Sequence, residues 1–177
     1  MAHPVERRFI AFGIVAATGV VMAYVALILT PLGQWIEHLA LRGARQSVPE
    51  VRESSLLELS EISLLSFSLA IALVMAIALL RRKVLLAVMA AAVMGISVGI
   101  AEVAKRSLLR PELVEAPPGW LNNSFPSGHV TIAVAIGIGA MLVLPYSLRW
   151  IGAAGGALYA IEIGLAVETA GWPVFQG

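Results

Sequence analysis

The sequence predicts an all-α fold, a multi-span transmembrane helix bundle, and three observations predict it. Of 177 residues, 59% are hydrophobic and only 13% are charged. Mean hydropathy is +0.90. The apolar residues also gather in five runs that carry almost no charge. A soluble domain holds about 25% charged residues, so this chain lacks the polar groups to cover a water-facing surface. Lipid is its expected solvent, and its length suits one membrane domain over 1–177.

A bilayer core of about 30 Å takes roughly 20 apolar residues in helical form. The expected spans, in order, are 9–30, 63–80, 84–101, 130–148 and 150–170. The first four runs hold no charged residue, and the fifth holds only Glu162 and Glu168. The first run exceeds the roughly 7–15 residues of a signal-peptide core, which favours a retained signal anchor. Residues 31–62 form a mixed-charge outer loop with room for a short amphipathic helix at the interface. Residues 102–129 form a polar hinge between the third and fourth spans. The run Gly152 to Ala157, "GAAGGA", offers close helix packing inside the bundle. Glu162, within an apolar run, is expected to be neutralised, hydrogen-bonded and turned toward the bundle; Glu168 is expected at the outer interface. Trp35, Trp120, Trp150 and Trp172 fall near span ends, as interfacial anchors do.

Loop charges orient the bundle. Basic residues divide six against six between the two sides. Arg81-Arg82-Lys83 sits in a very short turn, where basic residues prefer the cytoplasm most strongly. This places the N-terminus inside and 102–129 outside. The Ala- and Arg-rich composition fits a bacterial inner membrane. The net charge of +1 is scattered in loops and points to no nucleic-acid partner. The absence of cysteine excludes disulfides, thiolate metal sites and cysteine nucleophiles. No cofactor is expected.

The hinge carries the chemistry. In "KRSLLRPEL", 105–113, three cations, Lys105, Arg106 and Arg110, follow a span directly, and Pro111 stops any continuing helix. Five residues apart, Lys105 and Arg110 would lie on neighbouring faces of a helical turn. Such groups at a membrane exit suit a phosphate; snorkelling or contact with anionic lipid is the other reading. In "FPSGHV", 125–130, Ser127 is a good N-cap and Gly128 admits close backbone approach. A helix beginning there aims free N–H groups and a positive dipole end at the hinge. His129 adds a group that exchanges a proton near neutral pH. The plainer reading is a capped helix start with an interfacial histidine.

Lys105…Arg110-Pro111 followed by Pro126-Ser127-Gly128-His129 resembles the type 2 phosphatidic acid phosphatase family, within the superfamily that includes vanadium haloperoxidases. The likeness covers roughly 60–172. It implies a six-span fold, a hydrolase activity and a phosphorylated lipid as substrate. Candidates are phosphatidate, phosphatidylglycerol phosphate or an isoprenyl diphosphate, cleaved without metal. It implies that Lys105, Arg110, Ser127 and the Gly128 N–H bind phosphate oxygens. His129 would act as the catalytic residue that protonates the leaving alkoxide or assists water. In the family six residues separate the Lys from Arg-Pro, whereas four separate Lys105 from Arg110. Glu112-Leu113 stands where many members repeat Arg-Pro, and Arg106 is the candidate auxiliary.

The family's third motif supplies a nucleophilic His, which forms a phosphohistidine, and an Asp that orients it. No histidine follows His129, and all eleven acidic residues are glutamates. His38 lies in the outer loop with no matching motif. The likeness fades at Trp172, where Pro173 follows. A truncated or frame-shifted chain, a natural non-catalytic relative, or completion by another chain are the three readings. The first predicts that coding DNA past Trp172, in another frame, encodes the His, the Asp and a further apolar run. The functional alternative is a non-catalytic membrane protein that binds phosphorylated lipid or acts as an assembly partner.

Overall fold

The computed structural model describes residues 4–45, 49–115 and 125–169. These form seven α-helices: α1 Pro4–Ile28, α2 Pro31–Arg45, α3 Pro49–Glu61, α4 Leu64–Leu80, α5 Val84–Ser107, α6 Gly128–Val143 and α7 Arg149–Thr169. A short 3-10 turn, Tyr146–Leu148, precedes α7. The all-α expectation holds among the described residues. By length and composition, Val84–Ser107 and Tyr146–Val167 are able to cross a membrane. The count rises to three if α1 and α2, bent by 80° at their junction, are one broken span.

The remaining expected spans are shorter apolar helices. α4 has 17 residues and α6 has 16; at 1.5 Å per residue they reach about 24–26 Å. Local signals fix their ends. Ser63 caps α4 in a reciprocal capping box with Ser66. α6 stops at Val143, short of the expected 148, because Pro145 forces the preceding residue into extended backbone. At the α4–α5 turn Arg82 adopts φ 56°, and the amides of Arg81, Arg82 and Lys83 all return to carbonyls of the last turn of α4.

α6 is the centre of the bundle, packing against α4, α5 and α7. One core cluster joins Phe67, Val74 and Ala78 of α4, Ala87, Ala90 and Met94 of α5, and Ala135 and Val143 of α6. A second joins Leu59 and Ile62 to Ala133, Ile163 and Ala166. Small residues let the helices approach. A Cβ added to Gly137 would lie 2.6 Å from the Cα of Gly156, so the α6–α7 crossing requires both glycines. The 152–157 run therefore packs inside the bundle. Arg81 donates to the carbonyl oxygen of Val143, which puts the basic turn at the opposite end of α6 from Gly128.

Large apolar side chains cover the outside: Leu64, Leu69, Leu73, Leu80, Leu85, Ile96 and Leu158 are each more than 60% exposed. Water penalises such a surface, whereas lipid does not, so the helices are compatible with a membrane protein. Glu162 departs from expectation. It lies on the exposed side of α7 and not toward the bundle, because the small residues Gly152 and Gly156 and the core residue Ile163 occupy the inward stripe. Trp35 and Trp150 are exposed near helix starts; Trp120 and Trp172 lie outside the described residues, as does the side chain of Glu168.

The expected outer loop 31–62 contains two helices. α2 has apolar Leu32, Trp35, Ile36 and Leu39 exposed, while polar Gln34 and His38 are buried. This inversion suits a helix bordered by lipid on one side and protein on the other. Its corner with α1 is tight: a Cβ on Gly33 would collide with the backbone of Ala26 and Leu27. Thr30 secures the corner, its hydroxyl accepting from the Gly33 amide at 3.0 Å.

Candidate functional site

α5 does not stop where the apolar run stops. It continues past Ala101 to Ser107 and carries Glu102, Lys105 and Arg106 on its last turns. Pairs at i,i+3 and i,i+4 support such a water-facing extension. The Lys105 Nζ lies 2.9 Å from the Glu102 carboxylate, and the Arg106 guanidinium lies 4.0 Å from it. Cations at this C-terminal end also complement the helix dipole.

α6 begins as expected. Ser127 is its N-cap in extended backbone, accepting from the Val130 amide at 3.5 Å. Thr131 closes the turn, its amide and hydroxyl both donating to the Ser127 carbonyl. A Cβ added to Gly128 would lie 3.2 Å from the Lys105 Nζ and 3.4 Å from the Glu102 carboxylate. Gly128 therefore lies in close contact with the ends of both members of the Lys105–Glu102 pair.

His129 stands in the same place. It precedes the apolar run that starts at Val130 and is half-buried. Burial, and then the nearby Lys105 charge, hold its imidazole below its ordinary pKa. The structure thus joins the end of α5 to the start of α6, bringing together Lys105, Ser127, Gly128 and His129. The Arg106 side chain, by contrast, is 82% exposed.

Arg110 behaves differently. The expected helical turn shared with Lys105 does not form: α5 ends at Ser107, and Leu108 is extended. The Arg110 side chain is only 5% exposed and grips Glu37 of α2, with Nη1–Oε1 at 3.2 Å and Nη2–Oε2 at 2.5 Å. The segment around it is fastened to the α1–α2 corner. Gln34 donates to the carbonyls of Ile28 and Pro111 at 2.8 and 2.6 Å and accepts from the Leu113 amide at 3.1 Å. The Tyr24 hydroxyl donates to the Leu109 carbonyl at 2.5 Å, and its ring meets Phe125 at 6.0 Å.

Glu102, Glu37 and Gln34 were absent from the residues the sequence singled out. Glu102 had a signal, its i,i+3 spacing from Lys105. Gln34 and Glu37 had a weaker one, polar positions alternating with the apolar stripe of α2. Residues 116–124 of the hinge lie outside the described residues. No family model, curated protein or solved structure matches the chain.

Proposed function

We propose that the junction of α5 and α6 binds the phosphate of a lipid headgroup at the membrane surface. The carrying observation is the Lys105 Nζ seated against Gly128 at the start of α6, with His129 beside it. An ammonium group, helix-start amides and an imidazole converge there, and together they favour an oxyanion. Apolar helix exteriors support a reading in which the junction lies beside lipid, and a phosphorylated lipid is the ligand that reading favours. Five spans within a six-span family fold, an inner-membrane location and an outward-facing junction belong to the same reading.

We further propose that the chemistry is of the phosphatidic acid phosphatase type, acting on a lipid phosphomonoester or pyrophosphate. His129 is neutral when the site is empty. A bound phosphate brings negative charge that raises its pKa, so that it gives a proton to the lipid oxygen that leaves while a water molecule forms the new bond to phosphorus. Lys105 and the α6 amides stabilise charge on the phosphoryl oxygens. The experiment is inorganic phosphate release from phosphatidate by the full chain in detergent. Turnover that persists with a chelator and disappears in His129→Ala supports the enzyme.

A second reading is a non-catalytic binder of phosphorylated lipid. It is favoured by the sparse histidines: only His38 and His129 fall among the described residues, and His38 is buried on α2, at 4% exposure. Phosphatidate binding that depends on Lys105, without turnover, selects this reading. Absence of both binding and turnover removes the two together.

A further inference from the structure

The proposed phosphate site has an internal competitor. Arg110 is held by a carboxylate in the side-on, two-point geometry by which guanidinium also takes a phosphate. We propose that Glu37 is the selectivity residue of this junction: it occupies Arg110 so that a phosphomonoester or diphosphate headgroup displaces it, while the phosphodiester lipids of the surrounding bilayer do not. The inference rests on the reading of the junction as a lipid-phosphate site.

The charge argument is direct. The Glu37 carboxylate carries one negative charge and is tethered on α2, so its local concentration at Arg110 is high. A phosphodiester also carries one negative charge, offers the guanidinium no more than a carboxylate does, and arrives untethered. It loses the exchange. A terminal phosphate carries about −1.5 to −2 charges and three acceptor oxygens. It offers the Arg110 guanidinium more charge and more acceptors than Glu37 does, and it wins the exchange. Because phosphodiesters crowd the same membrane surface, an exposed Arg110 would be occupied by them. With Glu37 in place the Arg110 side chain is only 5% exposed, which leaves an untethered phosphodiester little access to it.

The architecture permits the exchange. Gln34 pins α2 to Ile28, Pro111 and Leu113, and Glu37 sits about one helical turn further along. A tilt of α2 about Gln34 separates Glu37 from Arg110 without unthreading the chain. The exposed Leu32, Trp35, Ile36 and Leu39 stay at the lipid boundary throughout such a tilt.

The test compares two lipids on the full chain in phosphatidylcholine nanodiscs, phosphatidate and phosphatidylglycerol. The unsubstituted chain should prefer phosphatidate by at least about tenfold, the discrimination one charge-assisted contact supplies. Glu37→Gln should reduce that preference to under about threefold by admitting phosphatidylglycerol, and Glu37→Asp should keep it. Lys105→Ala should weaken phosphatidate binding whether or not Glu37 is intact. A preference unchanged in Glu37→Gln, with Lys105→Ala still weakening binding, overturns the selectivity role and leaves the site standing. Binding of neither lipid by any variant overturns both. Amide exchange of the unsubstituted chain serves if Glu37→Gln does not fold. Phosphatidate, but not phosphatidylglycerol, should speed exchange in α2, and equal exchange with both overturns the proposal.

Discussion

Lys105 and Arg110 stand five residues apart, carry the same charge, and live in opposite conditions. Lys105 is on a helix, its side chain 30% exposed, paired to a Glu102 that is 44% exposed. Arg110 is on an extended segment, 5% exposed, paired to a Glu37 that is 28% exposed. A half-wet local pair contributes little, about 0–1 kcal/mol, and opens readily. A desolvated two-point pair is costly to break. The first cation rests against the α6 start, where the proposed ligand would meet it. The second fastens 109–113 to α2 through Glu37. Burial, more than charge or sequence proximity, is what separates these two cations.

The largest effect expected from this contrast is on stability. Arg110→Ala leaves Glu37 without its buried partner and should lower unfolding stability by about 2–3 kcal/mol, less than for a fully enclosed pair because Glu37 keeps partial access to water. SDS-induced unfolding of the purified chain measures it. An unchanged midpoint would erase the distinction between the two cations.

Lys105→Ala should do the reverse. Its pair with Glu102 is local and partly exposed, so stability should change by no more than about 1 kcal/mol. Phosphatidate binding should weaken at least about tenfold, the equivalent of one charge-assisted hydrogen bond. A loss of stability matched to Arg110→Ala, with binding intact, would exchange the roles assigned to the two residues.

These assignments show what was legible in the residues themselves. Hydropathy located the cores of α1, α4, α5, α6 and α7, because an apolar run long enough to meet lipid leaves few other structures. Ser127 as N-cap and the meeting of Lys105 with Gly128 and His129 were also legible, since one helix ends and the next begins on the same side. The extra turns of α5 were hidden by the fall in hydropathy after Ala101, although Glu102 and Lys105 pair along the helix. α3 has no usable periodicity, so its place under α7, fixed by Leu59, Ile62 and the Ser55–Thr169 hydrogen bond, emerges only in three dimensions. The Arg110–Glu37 pair spans 73 residues. Nothing local in either segment announces the other, and the inward turn of the polar side of α2 depends on which face meets lipid.

A smaller effect should appear with pH. His129 has a folded pKa below its ordinary value of about 6.5, caused by burial first and Lys105 second. The folded chain therefore binds fewer protons than the unfolded chain between those two values. The stability that neutral His129 contributes is present above about pH 6.5 and is lost as pH falls through the folded value. His129→Gln should flatten that part of the pH profile without altering the contribution of the Arg110 pair. An identical profile in the variant would show that His129 is not held neutral beside Lys105.

The smallest effect is expected at Arg106, and it locates the anion most finely. Arg106 neighbours Lys105 in sequence, yet one residue turns a helix by about 100°. Its guanidinium is 82% exposed and sits 4.0 Å from Glu102, at the limit of an ion pair. An exposed contact of that kind contributes a few tenths of a kcal/mol, so Arg106→Ala should change phosphatidate binding by less than about twofold. Removing it also leaves Lys105 as the main cation opposite Glu102, so a slight weakening through a tighter Lys105–Glu102 pair is the expected sign. A loss as large as that of Lys105→Ala would mean that the headgroup approaches the outer side of α5. In that geometry the α6 amides and His129 would no longer share the phosphate with Lys105.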